Sequence, residues 1–209
     1  MLIPMEHQRR AVFLDRDGVI NAMCLDPEHG LVDSPANPEQ FTLLPGVAQA
    51  IYKLKEMNFL TVVVSNQPGI AKGKLTPALL DAMTGKMMQE LETGRSQPDA
   101  IYYCLHHPNA LLEEYRTICD CRKPEPGLLL KAAKDLDIDL AQSYMIGDGV
   151  TDIQAGSRAG CKTVWIGNWK CDVCEVARRL DAMPDYKAGD LLTAVELIRS
   201  EEQACGNIY

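Results

Sequence analysis

The sequence predicts an α/β fold in which a mostly parallel sheet carries helices on both faces. Short apolar runs typical of buried strands alternate along the chain with longer segments typical of helices. Polar residues and glycines directly follow several of these runs, as expected where parallel strands end at a ligand-binding edge. The chain has 209 residues, of which 46% are hydrophobic, and this is enough for one such domain with a sizeable core.

The predicted elements follow one another in alternation. Strands are predicted at 11–15, 60–65, 100–105, 143–147 and 162–166. Helices are predicted at 46–57, 76–92, 126–136, 150–160, 173–182 and 190–200. The segments 22–45 and 104–127 are predicted to be long loops, which are often functional in a compact domain. The sequence shows no repeat and no interdomain linker, so we expect a single domain over 1–209 with its core at about 9–200.

Composition excludes several classes of function. The net charge of −8 argues against nonspecific nucleic-acid binding, which needs a basic face. The sequence has no apolar run of membrane-spanning length, and its first residues, MLIPMEHQRR, lack the apolar stretch of a signal peptide. We therefore expect a cytoplasmic protein without nucleic-acid or membrane partners. Its eight cysteines are then expected to be thiols or metal ligands rather than disulfides.

The first predicted strand ends in two carboxylates, Asp15 and Asp17, with Arg16 between them and Gly18 behind them. Carboxylates this close repel each other unless a cation or a shared proton compensates, and a hard divalent cation prefers such oxygen ligands. The segment therefore indicates a metal-assisted site in which one carboxylate is a nucleophile and the other an acid and base. For this pair alone, solvated charges at a strand exit would be the simpler interpretation.

The second strand ends in groups that suit phosphate binding. Its end carries Ser65, Asn66 and Gln67, and a hydroxyl beside a tight turn can donate hydrogen bonds to phosphate oxygens. A polar turn would explain this segment alone equally well. Lys123 lies in the later segment CDCRKPEPG and can neutralise both a phosphate and the carboxylates near it.

A second acidic cluster is predicted at the end of the fourth strand. Asp148 ends that strand, and Asp152 would lie in the first turn of the following helix, facing back toward Asp148. Acidic residues are favoured at helix N-termini, which explains Asp152 well and Asp148 poorly. Together with the segments around Asp15 and Lys123, this cluster favours a phosphate site.

These segments together resemble the four motifs of phosphatases in the haloacid dehalogenase (HAD) superfamily. The matching residues are DRDGV at 15–19, Ser65, Lys123 and GDGVTD at 147–152, in the required order, and the resemblance covers 11 to about 168. It implies a Rossmann-like domain with the strand order 5-4-1-2-3 and no large cap domain. It also implies an aspartyl-phosphate mechanism that depends on Mg²⁺, because a carboxylate attacks an anionic phosphate poorly without a cation between them.

The resemblance assigns expected roles to individual residues. Asp15 is the expected nucleophile, and Asp17 is the expected general acid and afterwards the base. Mg²⁺ would be held by Asp15, the backbone carbonyl of Asp17 and Asp148, while Asp152 would support the metal site or orient a cation. The transferring phosphoryl group would be bound by two further side chains, Ser65 and Lys123.

The loop at 104–127 carries a candidate zinc site. Its pattern is CxH, twelve intervening residues and CxC, a Cys₃His set that suits tetrahedral zinc. The four candidate ligands are Cys104, His106, Cys119 and Cys121. They fill all four positions, so the zinc would be structural and would pin the loop beside the active site. His107 is a competing ligand, and a CxxC pair formed by Cys171 and Cys174 is more often incidental than functional.

Within the superfamily, the chain is similar to the D-glycero-D-manno-heptose 1,7-bisphosphate phosphatases and to the related histidinol-phosphatases. Both families have a zinc loop of this type, and the segments YYCLHHPN, CDCRKPEPG and NQPGIAKGKL favour the heptose family. The resemblance implies removal of the C7 phosphate, with a histidinol-phosphatase as the alternative. A non-catalytic, zinc-stabilised binding protein is the alternative from another class, and it is disfavoured because every catalytic position is filled.

The same resemblance implies a substrate that is a small phosphorylated sugar, bound by a monomer. The expected substrate contacts are Arg16, His29, Gly30, Ser65, Asn66, Gln67, Arg122 and Lys123. Two features depart from the family pattern: Gly149 stands where a lysine is usual, and the loop at 22–39 is longer.

Overall fold

A six-stranded parallel sheet forms the centre of the computed structural model, which describes residues 8–26, 30–92, 96–168 and 171–206. The strands are β1 (Arg10–Leu14), β2 (Cys24–Asp26), β3 (Leu31–Asp33), β4 (Phe59–Asn66), β5 (Ala100–Cys104), β6 (Tyr144–Gly147), β7 (Lys162–Ile166) and β8 (Tyr186–Ala188). The sheet has the order β5-β4-β1-β6-β7-β8, and every neighbouring pair is parallel. Read from β7, the five predicted strands have the order 5-4-1-2-3, so this prediction is confirmed.

Helices cover both faces of the sheet, as predicted. They are α1 (Val47–Glu56), α2 (Pro77–Glu92), α3 (Gly127–Leu136), α4 (Val150–Ala159), α5 (Cys171–Arg179) and α6 (Leu191–Gly206). Among the described residues, no helix combines the length and the apolar character needed to cross a bilayer. The predicted boundaries agree to within a few residues, except that α6 continues well beyond its predicted end.

β1 shows how the two faces of the sheet are filled. Successive side chains of a strand point to opposite faces. Val12 and Leu14 belong to the core cluster that includes residues of α1, α2 and α6, whereas Ala11 and Phe13 belong to the cluster that includes residues of α3 and α4. A strand that is buried on both faces needs a continuous apolar run, which explains why β1 is so clear in the sequence.

Three strands were not predicted from the sequence. β2 and β3 form an antiparallel hairpin within the predicted loop at 22–45, and β8 pairs with the edge of the sheet at β7. Each of these strands has three residues, so none offers a recognisable apolar run. A salt bridge of 2.7 Å from Lys74 Nζ to Asp33 Oδ2 ties the hairpin to the loop after β4.

Candidate active site

The carboxyl ends of three neighbouring strands bring the predicted catalytic groups together. Leu14 of β1 pairs with Val63 of β4 and with Ile146 of β6, so the residues that follow these positions reach the same edge of the sheet. They open into a cleft of ≈ 190 Å³. The cleft is lined by Asp15, Asp17, Met23, Ser34, Ser65, Asn66, Lys123, Asp148, Gly149, Thr151 and Asp152.

Gly18 allows the turn after β1 to pass close to the end of β6. Its φ of +87° is a conformation that favours glycine, and a Cβ added there would lie 2.0 Å from Asp148 Oδ2. Asp148 can therefore approach the β1 turn only because position 18 has no side chain. The glycine of the DRDG segment is thus a condition for assembling the acidic cluster.

The acidic cluster combines residues from two of the predicted motifs. Asp15, Asp148 and Asp152 can each offer a carboxylate oxygen such that all three oxygens lie within 4.8 Å of one another. Lys123 Nζ lies 2.8 Å from Asp15 Oδ1 and 2.6 Å from Asp152 Oδ1, and it donates to the carbonyl of Val64 at 2.8 Å. A single buried ammonium group therefore stands among three carboxylates.

The titration behaviour of the cluster follows from burial and charge. Burial, together with the charge of Asp152, raises the pKa of Asp15 to about 6, although Lys123 opposes this shift. Burial and the charges of Asp15 and Asp152 raise the pKa of Asp148 to about 7. Burial would lower the pKa of Lys123, but the charges of Asp15 and Asp152 outweigh it and raise the pKa above its ordinary value.

These properties fit the binding of a hard divalent cation. Burial is the largest cause of the raised pKa values of Asp15 and Asp148, and the charges of neighbouring carboxylates add to it; a bound cation would offset both effects. Oxygen donors of this kind are those that Mg²⁺ prefers. Asp152 also has a local structural task, because its Oδ2 accepts a hydrogen bond of 2.9 Å from the Gly149 backbone at the start of α4.

Asp17 is held by a network of buried donors. Arg16 donates to its Oδ1 from Nε at 3.2 Å and from Nη2 at 3.0 Å, and Asn21 Nδ2 donates to the same oxygen at 2.9 Å. Gln67 Nε2 donates to Asp17 Oδ2 at 2.7 Å. Asn21 was not predicted as a site residue, although it ends the segment DRDGVIN that follows β1.

Two of the expected substrate contacts are instead internal to this network. Arg16 is fully buried, and its guanidinium group lies over the ring of Tyr103 at 5.6 Å from the centroid. Gln67 is 2% exposed, and its amide bonds to Arg16, Asp17 and Ser65. Both side chains lie buried behind Asp17 and outside the residues that line the cleft, so their role as direct substrate contacts stays a prediction.

The other expected substrate contacts have different positions. Ser65 lines the cleft, and Asn66 lines it while exchanging two hydrogen bonds of 3.0 Å with the backbone of Lys123. Gly30 is exposed at the turn of the β2–β3 hairpin, outside the residues that line the cleft. His29 lies outside the described residues. On the hairpin side the cleft is instead lined by Met23 and Ser34, which sequence reasoning did not single out.

Arg122 lies beside Lys123 but is tied to the neighbouring loop. Its Nη1 donates to the backbone carbonyl of His106 at 3.3 Å. The positive charges of Arg122 and Lys72, together with burial as the largest cause, lower the pKa of His107. Arg122 is therefore held against the loop that carries the thiols.

The predicted zinc ligands are brought together in that loop. Sγ of Cys121 lies 3.1 Å from Sγ of Cys104 and 3.3 Å from Sγ of Cys119, and it lies 3.4 Å from Nδ1 of His106. Tetrahedral zinc with bonds of about 2.3 Å to sulfur needs ligand separations of about 3.8 Å, which is close to this arrangement. Burial raises the pKa of the Cys104 and Cys121 thiols, so a metal ion would be needed to keep them as thiolates. His107 Nδ1 instead accepts a hydrogen bond from the Asn109 backbone, which leaves His106 as the histidine of the set.

Known proteins share this arrangement of sequence and fold. A family model described as HAD-hydrolase-like matches residues 120–194. The D-glycero-beta-D-manno-heptose-1,7-bisphosphate 7-phosphatase of Escherichia coli K12 is 47% identical over 153 residues, which are 73% of this chain and 76% of that protein. The protein of the same name from Vibrio cholerae is 41% identical over 153 residues, which are 73% of this chain and 78% of that protein.

A comparison with solved structures shows that the fold is also shared. The D,D-heptose 1,7-bisphosphate phosphatase from B. bronchiseptica, complexed with magnesium and phosphate, superposes with a TM-score of 0.74 and 30% identity. That alignment covers 92% of this chain and 99% of the other. The chain is thus similar over most of its length to proteins named as phosphatases of heptose bisphosphates.

Proposed function

The chain belongs to the D-glycero-beta-D-manno-heptose-1,7-bisphosphate 7-phosphatase family of HAD-like hydrolases, and from this premise we propose that it removes the C7 phosphate of its heptose bisphosphate substrate. The observation that carries the proposal is the convergence of Asp15, Asp17, Lys123 and Asp148 on one cleft. A non-catalytic binding protein would have no need to bury a lysine among three carboxylates. A phosphatase needs this concentration of charge at the reacting phosphoryl group.

In the first step an Asp15 carboxylate oxygen attacks the phosphorus atom, and the bond between phosphorus and the ester oxygen breaks. Lys123 holds Asp15 at 2.8 Å and lies where it also neutralises charge on the phosphoryl oxygens. The Ser65 hydroxyl accepts a hydrogen bond from Gln67, so its own hydrogen can be donated to a phosphoryl oxygen. The product of this step is an aspartyl-phosphate at Asp15 and a free sugar hydroxyl.

Asp17 donates a proton in the first step and accepts one in the second. It protonates the leaving ester oxygen, and the resulting carboxylate then accepts a proton from the water that attacks the aspartyl-phosphate. The P–O bond to Asp15 breaks, inorganic phosphate leaves, and both carboxyl groups return to their starting states. Mg²⁺ would be held by Asp15, the backbone carbonyl of Asp17 and Asp148, and when bound it supplies positive charge that offsets the carboxylates and the phosphoryl group.

The substrate specificity can be tested by a screen of phosphate release. Sugar bisphosphates, histidinol phosphate and nucleotides would be compared at equal concentration. We expect the highest kcat/KM with the heptose bisphosphate. A clear preference for histidinol phosphate would favour the histidinol-phosphatase alternative, and no turnover of any substrate would favour a binding protein. We further propose that the enzyme is a monomer, and that it works in the cytoplasm because the Cys₃His set needs reduced thiols.

Zinc is expected to be separable from catalysis. Purified protein should contain about one zinc per chain, held by the Cys₃His set. Cys119→Ser should lose that zinc and melt at a lower temperature, because metal binding is coupled to folding of the loop. Withdrawal of Mg²⁺ should instead stop turnover and leave zinc and fold intact. Metal analysis, thermal melting and phosphate release measure these three properties.

Cys174→Ser is the matched control for the zinc experiment, since it removes one thiol from the CxxC segment on α5. It should keep the zinc content and the melting temperature of the wild type. Loss of zinc in Cys174→Ser, with zinc retained in Cys119→Ser, would contradict the proposed site. So would full activity with zinc in the absence of Mg²⁺.

Arg122→Ala is expected to raise KM for a sugar bisphosphate while sparing small monophosphates. The guanidinium group is a planar fork one residue from Lys123, so it can bind a second anionic or hydroxyl-rich group of a long substrate. Steady-state kinetics on both kinds of substrate would measure the difference. Arg116→Ala is the control, because Arg116 also donates to a backbone carbonyl of the loop, at 2.8 Å. An equal loss on both substrates with a lower melting temperature would mean that Arg122 only packs the loop.

A further inference from the structure

Arg16 and Gln67 lie behind Asp17, and the mechanism above gives no role to Arg16 and only a hydrogen bond to Ser65 to Gln67. Gln67 uses all parts of its amide: Nε2 donates to Asp17 Oδ2 at 2.7 Å and to Ser65 Oγ at 3.1 Å, and Oε1 accepts from Arg16 Nη2 at 3.0 Å. One side chain therefore connects the group that would bind the phosphoryl oxygens with the group that would transfer protons.

We propose that Arg16 and Gln67 are positioning residues, which hold the Asp17 carboxyl group in a fixed position relative to the Ser65 hydroxyl. This inference rests on the proposed function, in which Asp17 serves the leaving oxygen and Ser65 the phosphoryl group. The two groups act on oxygen atoms that are bonded to the same phosphorus atom of the substrate. A displacement of about 1 Å between such groups can cost about a hundredfold in rate.

Stability alone is a poor explanation for this arrangement. The guanidinium group of Arg16 is fully buried, and within the described part of the chain its Nη1 has no hydrogen-bond partner. A buried charge and an unsatisfied donor both cost free energy of folding, and apolar residues of similar volume often replace buried ion pairs without loss of stability. The guanidinium group of Arg16 donates to Asp17 and Gln67 and lies over the Tyr103 ring, so these interactions are directed at the proton-transfer group.

Substituting a residue that donates to Asp17 should change the position of the Asp17 carboxyl group. Its Oδ1 accepts from Arg16 and Asn21, and its Oδ2 accepts from Arg16 and Gln67, so the carboxyl plane is fixed from both ends. Methionine at position 67 keeps a similar length and an apolar body but donates no hydrogen bond. Gln67→Met therefore releases one end of the carboxyl group and uncouples it from Ser65.

The test is the dependence of kcat on the leaving group, measured for Gln67→Met and Arg16→Met with alkyl phosphates and 4-nitrophenyl phosphate. Alkoxides need a proton to leave and nitrophenolate does not, so a misplaced acid should slow alkyl phosphates by roughly 10–100-fold and nitrophenyl phosphate by less than about 3-fold. In an Asp17→Asn background, Gln67→Met should cause no further loss, because the group that it positions is gone. If Arg16→Met does not fold, Gln67→Met carries the test.

Thr61→Val is the matched control for general destabilisation. Thr61 is a fully buried polar residue on the same strand as Ser65, and its hydroxyl donates to Asp99 Oδ2 at 3.1 Å. In the sheet it pairs with Val12, well before the end of β1 that leads to Asp17. It should lower the melting temperature without changing the dependence on the leaving group.

The outcomes separate the positioning role from the proposed function. Equal losses on all substrates in Gln67→Met, or a loss that persists in the Asp17→Asn background, would overturn the positioning role. If Asp17→Asn itself showed equal losses on all substrates, the acid role of Asp17 would fail, and the positioning role with it.

Discussion

Asp15→Asn is expected to reduce steady phosphate release to less than about a thousandth of the wild-type rate, because loss of a covalent nucleophile costs several powers of ten. The carboxylate of Asp15 lies at the centre of the site, 2.8 Å from Lys123 Nζ and within reach of Asp148. A neutral amide cannot attack phosphorus, and its oxygen is a weaker partner for both Lys123 and a divalent cation. The result does not depend on the natural substrate, so 4-nitrophenyl phosphate suffices for the assay.

The fold should survive this substitution. Asparagine has nearly the same shape, and removing one charge relieves repulsion with Asp148 and Asp152 at the same time as it weakens the pair with Lys123. Melting temperature therefore serves as the check on folding, and mass spectrometry after acid quenching should detect a phosphoryl adduct in the wild type only. Asp81→Asn, on the exposed face of α2, is the control and should behave as the wild type. Turnover above the stated level in Asp15→Asn, or an adduct on another residue, would rule out Asp15 as the nucleophile.

The order of the sheet could be predicted because its strands are buried on both faces. Ala11 to Leu14 form a continuous apolar run, and the carboxyl ends of such strands are where α/β sheets bind ligands. The hairpin of β2 and β3 could not be predicted in the same way. Its paired residues Leu25 and Val32 are 65% and 62% exposed, so the hairpin has no buried face that would require alternating apolar and polar residues in the sequence.

The acidic cluster and the Cys₃His cluster could be predicted because their chemistry restricts the residue type at each position. A carboxylate at the end of β1 and another after β6 need a cation such as Lys123, and a Cys₃His set has a recognisable spacing. The residue type alone does not show in which direction a side chain points. Arg16 and Gln67 carry polar groups that suit a substrate, and only the folded structure shows that these groups point inward to Asp17. Contacts between side chains 50 residues apart, such as Gln67 with Asp17, leave no local signal.

Asp17→Asn is expected to lower kcat for alkyl phosphates by roughly 10²–10⁴-fold, the usual contribution of a general acid or base. The substitution leaves the backbone carbonyl at position 17 in place, so the binding of Mg²⁺ should be retained. The loss should shrink for 4-nitrophenyl phosphate, whose leaving group departs without a proton. Titration of activity with Mg²⁺ and kinetics across a series of leaving groups measure the two effects separately.

The network around Asp17 adds a second expectation for this variant. Both carboxylate oxygens accept hydrogen bonds, so an asparagine must turn its amide NH₂ toward donors of Arg16, Asn21 or Gln67. A donor facing a donor in a buried site costs free energy, and the variant should therefore melt at a lower temperature than the wild type. Asp33→Asn is the control, because it removes a carboxylate that pairs with Lys74 beside the cleft and touches none of these donors. Equal rate losses for alkyl and aryl phosphates in Asp17→Asn would argue against proton transfer by Asp17. A distorted site slows both classes of substrate alike, whereas a missing acid slows only the substrates whose leaving group needs a proton.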